Sequence, residues 1–144
     1  GLDSAYIFNT FLNLSIIDSK YVKSDEPGVE GKEVEFVPKY NIKYGIKFGY
    51  KNFTSYLQYS YLASQFSDSS NSVESNLSGV IGQIPAYDIL DLSMNYKLGK
   101  IKLETGVNNI LDTSYFTRRA TGYPGPGIIP SPPRNYYITI QYKF

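Results

Sequence analysis

The chain has 144 residues, with 14 Lys and Arg against 13 Asp and Glu, 42% hydrophobic residues, 15 Tyr, 8 Phe, and neither Cys nor His. The missing Cys and His exclude thiol nucleophiles, disulfides, an imidazole base and the commonest zinc ligands; no basic run exceeds Arg118–Arg119, so nucleic acid is not an expected partner. No stretch approaches the ~18 unbroken apolar residues of a membrane-spanning helix, so any passage through lipid must be made by strands.

The chain opens at Gly1 without a basic, apolar leader, which implies a cleaved signal or a fragment. The first predicted strand runs from Ser4 to about Tyr21. Its apolar residues split between two parities: Phe8, Leu12, Leu14 and Ile16 on one, Ile7, Phe11 and Ile17 on the other. A long connection follows from Val22 to Val37. Ile42, Tyr44, Ile46, Phe48 and Tyr50 then form an apolar face opposite Lys43, Gly45, Lys47 and Gly49, and Phe53, Ser55, Leu57, Tyr59 and Tyr61 form the next. The two-residue turn Lys51–Asn52 joins them, and the flanking Tyr50 and Phe53 both belong to the apolar set, as a tight hairpin requires.

Gln65 to Ala86 is a second long connection, whose Ser-rich run from Ser67 to Ser78 reads as a mobile loop. Leu90, Leu92, Met94, Tyr96 and Leu98 lead through the Gly-first turn Gly99–Lys100 to Ile101, Leu103, Thr105 and Val107, another hairpin of consistent register. Ile110 to Arg134 is the third long connection. Its Gly122–Pro133 part is dense in Pro and Gly and reads as a stiff hairpin tip. The last strand, Asn135 to Phe144, sets Tyr136, Ile138, Ile140, Tyr142 and Phe144 on one face.

The fold class is therefore all-β, an antiparallel meander of about six strands. Parity puts both tight turns at one end and all three long loops at the other. Short turns opposed to long loops, with strands of ~9–11 residues, describe a transmembrane β-barrel. A soluble sandwich or ligand-binding barrel predicts the same period of two. Loop asymmetry, Tyr and Phe near strand ends, and a small or polar second face (Gly45, Gly49, Ser60, Ser93, Asn95, Gly106) favour the membrane. Closure of such a barrel takes about eight strands at least, so six imply the C-terminal portion of a larger one, or a small outer-membrane module that closes by self-association.

Three stretches resemble the C-terminal end of TonB-dependent outer-membrane receptors of the ferric dicitrate and siderophore type: Gly82-Gln-Ile-Pro-Ala-Tyr-Asp88; Gly106-Val-Asn-Asn-Ile-Leu-Asp112 followed by Tyr115-Phe116; and Pro132-Pro-Arg-Asn-Tyr-Tyr137 leading to Phe144. The central one is close to G-x-x-N-L-F-D-x-x-Y, with Ile110–Leu111 replacing the usual Leu–Phe. The resemblance spans nearly the whole chain. It implies that residues 1–144 belong to a barrel of twenty-two strands, without its plug and roughly sixteen upstream strands. It further implies import of a ferric chelate as transported ligand, energy from a TonB-ExbB-ExbD complex acting through the missing N-terminal part, and an outer-membrane location with the C-terminus periplasmic. No cofactor, resident metal or catalytic residue is expected.

Candidate ligand-binding residues lie in the last long loop. Arg118, Arg119 and Arg134 suit a carboxylate-rich anion such as ferric citrate, while lipopolysaccharide phosphates and local carboxylates are competing partners. Tyr115, Phe116 and Tyr123 suit an aromatic lid, with loop packing as the alternative. Asp88, Asp91 and Glu104 read as inward carboxylates balanced by Lys43, Lys47, Lys97 and Lys102. With no His and no nucleophile beside a base, they do not make an enzyme. Alternate residues of the last strand, ending at Phe144, read as a signal recognised by the barrel-assembly machinery through strand pairing, and equally as lipid-facing side chains.

Overall fold

The computed structural model describes residues 6–144. It is built from strands alone: β1 (Tyr6–Ile16), β2 (Tyr40–Tyr50), β3 (Phe53–Leu62), β4 (Gln65–Phe66), β5 (Gln83–Ile84), β6 (Tyr87–Leu98), β7 (Ile101–Asn108), β8 (Phe116–Ala120), β9 (Gly127–Pro130) and β10 (Asn135–Tyr142). The six long strands form one antiparallel sheet in the order β1-β2-β3-β6-β7-β10, and the short ones pair as two ribbons, β4-β5 and β8-β9.

Register follows the apolar period. Tyr50 faces Phe53 and Leu98 faces Ile101 across the two tight turns, as the sequence predicts. Gly99 has φ 57, the left-handed conformation that a Gly-first hairpin turn demands, whereas Lys51 reaches φ 52 with a Cβ in the way. Gly45, Gly49, Ser60, Ser93, Asn95 and Gly106 all fall on the face opposite the apolar residues.

The mixed parity of the first segment has a steric explanation. Phe8, Leu12 and Leu14 pair with Phe48, Tyr44 and Ile42 on the apolar face, whereas Ile7 and Phe11 pair with Gly49 and Gly45 on the other. The missing side chain at Gly45 makes room for the Phe11 ring, which stacks on Tyr56 at 6.1 Å. Ser4, the predicted start of this strand, lies outside the described residues. The strand ends at Ile16 and does not reach Tyr21, because Asp18 and Ser19 interrupt the alternation and the chain turns into its first long loop there. Asp88 also departs from expectation. It pairs with Tyr61 and shares the apolar face of Leu90, two residues along, while Asp91 and Glu104 occupy the polar face as predicted.

None of the described residues covers the apolar face. Among the described residues only Val29, Ile84 and Ile89 are buried hydrophobics, while Tyr136, Ile138 and Ile140 are each about 70% exposed. The chain exposes 10029 Å², against about 7,500 Å² for a closed soluble domain of this mass. Its edges β1 and β10 do not pair with one another. A self-contained soluble barrel with its apolar face inward is therefore not what this sequence builds. At the turn end the apolar face carries aromatic rings: Tyr6 stacks on Tyr50 at 4.5 Å, and Tyr142 meets Phe144 edge-on at 5.2 Å.

Candidate ligand-facing loop surface

The three long connections, residues 17–39, 63–86 and 109–134, gather at the end of the sheet opposite the tight turns. They are not independent. The first holds the second through Asn71, in the left-handed conformation at φ 53, whose Oδ1 accepts the Glu33 N–H at 2.7 Å and whose Nδ2 donates to the Glu33 carbonyl at 2.8 Å. Phe36 N–H donates to the Phe66 carbonyl beside it. The Ser-rich run is thus folded back on its neighbours, with Ser67 Oγ accepting the Gly82 N–H and donating to the Val80 carbonyl.

Two ionisable contacts fasten the first loop internally. The Tyr21 hydroxyl donates to Glu35 at 2.6 Å, and Lys39 meets Glu33 at 2.5 Å. The hydrogen bond to Glu35 is the main reason that Tyr21 holds its proton above the ordinary tyrosine range, as the bond to Glu33 is for Lys39.

The third loop is fastened at its root by the Gly106–Tyr115 stretch. Asn109, 3% exposed and at φ 54, donates from Nδ2 to the Thr113 carbonyl and accepts the Thr113 N–H, while its own N–H donates to Asp91 at 2.8 Å. Asp112 accepts the Arg134 N–H at 3.0 Å, and Arg134 Nε donates to the Ile110 carbonyl at 2.9 Å. Tyr115 packs on Tyr87 at 4.6 Å. Asn109, Asp112 and Thr113 thus turn the exit of β7 into a closed loop base beside β10.

The six candidate ligand residues occupy different environments. Arg119 is buried at 9% exposure, and its two Nη groups donate to the Gly79 and Gln83 carbonyls at 2.8 Å, clamping the third loop to the second. Its guanidinium also lies over Phe116, 5.2 Å from the ring centre. Gly82 and Gly79 permit this closeness. A Cβ on Gly82 would stand 3.1 Å from the guanidinium carbon, and one on Gly79 would stand 3.2 Å from Gly127 Cα. Arg118, the next residue along β8, is exposed. Arg134 is exposed at the loop root, and Tyr123 is fully exposed at the hairpin tip. Tyr115 and Phe116 line a groove of about 260 Å³ with Ile128, Pro130 and Pro133. No group of three or more acidic residues among the described ones is arranged to hold a metal ion. Sequence reasoning missed the Arg119 clamp and the Asn71 bridge; the signal for the first is Gly79 and Gly82 in a loop that otherwise needs no glycine pair.

Residues 1–110 match the family described as TonB dependent receptor-like, beta-barrel. Among solved structures, the ferric citrate transporter FecA in its unliganded form is 30% identical over 83% of this chain, with a TM-score of 0.75. The ferric yersiniabactin uptake receptor FyuA from Yersinia pestis is 17% identical over 99% with a TM-score of 0.75, and the siderophore receptor PiuA from Acinetobacter baumannii is 20% identical over 95% with 0.73. The last two show the fold alone. The chain spans 18%, 22% and 20% of these three proteins, about a fifth of their length. All three are transporters or receptors, and none is an enzyme.

Proposed function

The chain belongs to the TonB-dependent receptor-like β-barrel family, and on that premise we propose that it forms the last six strands of an outer-membrane transporter importing a ferric chelate, a citrate or siderophore complex, with energy delivered by TonB-ExbB-ExbD to the plug end of the same receptor. The carrying observation is a six-stranded open sheet with one uncovered apolar face and all long loops at one end, 30% identical to a ferric citrate transporter. In this reading the apolar face meets lipid, the loops face the medium together with lipopolysaccharide, and Phe144 ends the chain at the periplasmic rim. Tyr136, Ile138, Ile140, Tyr142 and Phe144 then present to the assembly machinery a strand whose outer edge is open for pairing.

The loops' share in binding falls to Arg118 and Arg134, whose exposed side chains can meet a chelate's carboxylates, and to Tyr115, Phe116 and Tyr123 as apolar contacts. Arg119 acts at one remove by holding the third loop in place. The test is uptake of radiolabelled iron by cells whose only receptor is the intact protein carrying this chain. Citrate and siderophore complexes are supplied separately, with and without a functional TonB. TonB-dependent uptake of one chelate class supports the proposal, and uptake independent of TonB, or none with any chelate, contradicts it. Arg118→Ala should weaken binding of a carboxylate chelate about tenfold, the loss of one charge-assisted pair.

A further inference from the structure

Asn-x-Ser/Thr tripeptides without an intervening Pro occur at Asn13, Asn52 and Asn76, the pattern at which an oligosaccharide is joined to an asparagine amide of an exported protein. The fold separates them. Asn13 stands within β1 directly opposite Lys43 of β2, and Asn52 belongs to a tight turn whose Thr54 is paired with Gly49 in the sheet. Asn76-Leu77-Ser78 lies instead in the second long loop, in a run from Val73 to Ser78 that is exposed at every residue. The Gly79 N–H donates to the Asn76 carbonyl at 3.0 Å and closes a β-turn there. Asn76 Oδ1 accepts from the Ser78 hydroxyl and from the Ile81 N–H, each at 3.2 Å, while among the described residues its Nδ2 donates to no protein group. Leu77 beside it is wholly exposed.

We propose that Asn76 is an N-glycosylation site, the acceptor of an oligosaccharide that a transferase delivers from a lipid diphosphate while the chain crosses the periplasm. The turn is held by the amide oxygen alone, so the nitrogen is free to bear a substituent, and one attached there displaces no strand. In the reaction Nδ2 bonds to the anomeric carbon as the bond from that carbon to the diphosphate oxygen breaks. The electron pair leaves with the diphosphate, and Nδ2 gives one proton to a base on the transferase. The Ser78 hydroxyl, two residues on, is the group by which the tripeptide is read. The first sugar then covers the bare Leu77 side chain, an apolar group otherwise left in water. A purely structural turn asparagine accounts for the Oδ1 contacts, but it requires neither a free Nδ2 nor an uncovered leucine.

The test takes the intact receptor from the outer membrane of the cells that make it, digests it with trypsin, and localises any saccharide by electron-transfer fragmentation of the peptide Asn52–Lys97. The expected result is a saccharide on Asn76 and none on Asn52. Ser78→Ala should abolish it, and Ser78→Thr, which keeps the hydroxyl, should retain it. Occupancy is read per molecule recovered, so poorer assembly of a variant does not imitate the loss. A bare Asn76 in the unsubstituted receptor, a saccharide on Asn52 or on loop serines instead, or one on Asn76 that survives Ser78→Ala would overturn the proposal. The inference takes from the proposed function only that the chain is exported. Strand labelling that reports which face meets lipid, described below, tests the membrane reading separately, so a bare Asn76 in a receptor with the expected strand alternation defeats this inference alone.

Discussion

Asn109 combines a left-handed backbone, near-complete burial and a side chain bonded at both ends to Thr113. Alanine there keeps the strained φ, loses Asn's tolerance of it, and leaves both Thr113 groups unpaired, so Asn109→Ala is expected to cost about 2–4 kcal/mol, read as a lowered urea midpoint. Lys51 is the converse case. Its φ of 52 carries a Cβ where glycine would carry none, and Lys51→Gly should add about 1 kcal/mol of stability, seen as a raised midpoint, less whatever the Lys51 contact with the Tyr50 ring contributes. The pH response of the first loop has a definite sign. Tyr21 and Lys39 both hold their protons more tightly in the fold than ordinarily, so their contributions are fully present below the ordinary values and disappear as pH rises through the raised ones. A spin label at Ser24 should therefore gain mobility above about pH 10, and Glu35→Gln with Glu33→Gln should remove that transition. None of these roles was legible residue by residue. Asn109 stands in a recognisable stretch, but its conformation depends on Asp91 and Thr113, which the chain brings to it only once β6 and β7 have paired.

Elements were far more legible, because each strand advertises its face through a period of two and each tight hairpin supplies its own check of register. Both hairpins emerged as the sequence indicates, and β10 ended within two residues of Phe144. The exceptions share a cause. The β4-β5 and β8-β9 ribbons are too short to show a period, and Phe11 breaks parity because a glycine on the neighbouring strand, invisible to local pattern, accommodates its ring. Gly106 makes a sharper case. A Cβ there would stand 2.6 Å from the Leu92 carbonyl oxygen, a backbone atom that cannot step aside, as well as against Tyr137. Gly106→Ala should destabilise the β6-β7-β10 region by about 1–3 kcal/mol, seen as faster hydrogen exchange in those strands than in β1-β2. For the loops, Arg119→Ala removes two bonds to part-buried carbonyls that hold β8 in place and should speed proteolysis at the exposed tip, residues 121–126, while leaving the sheet's exchange unchanged. Position along the chain alone could not tell a ligand-seeking arginine from a clamping one; the carbonyls of Gly79 and Gln83 do.

At the scale of the molecule, a chain that buries few hydrophobics and leaves one face of its sheet apolar and open makes physical sense only if another medium covers that face. Lipid does so without further protein, and the open edges β1 and β10 require more strands to satisfy their backbone groups there. The most direct test places single spin labels at successive positions from Ile89 to Tyr96 of β6 in the intact receptor, reconstituted in phospholipid, and measures collisions with oxygen and with a water-soluble nickel chelate. The account predicts oxygen maxima at Leu90, Leu92, Met94 and Tyr96, alternating with low values at Ile89, Asp91, Ser93 and Asn95. The opposite phase, or no alternation, would contradict it.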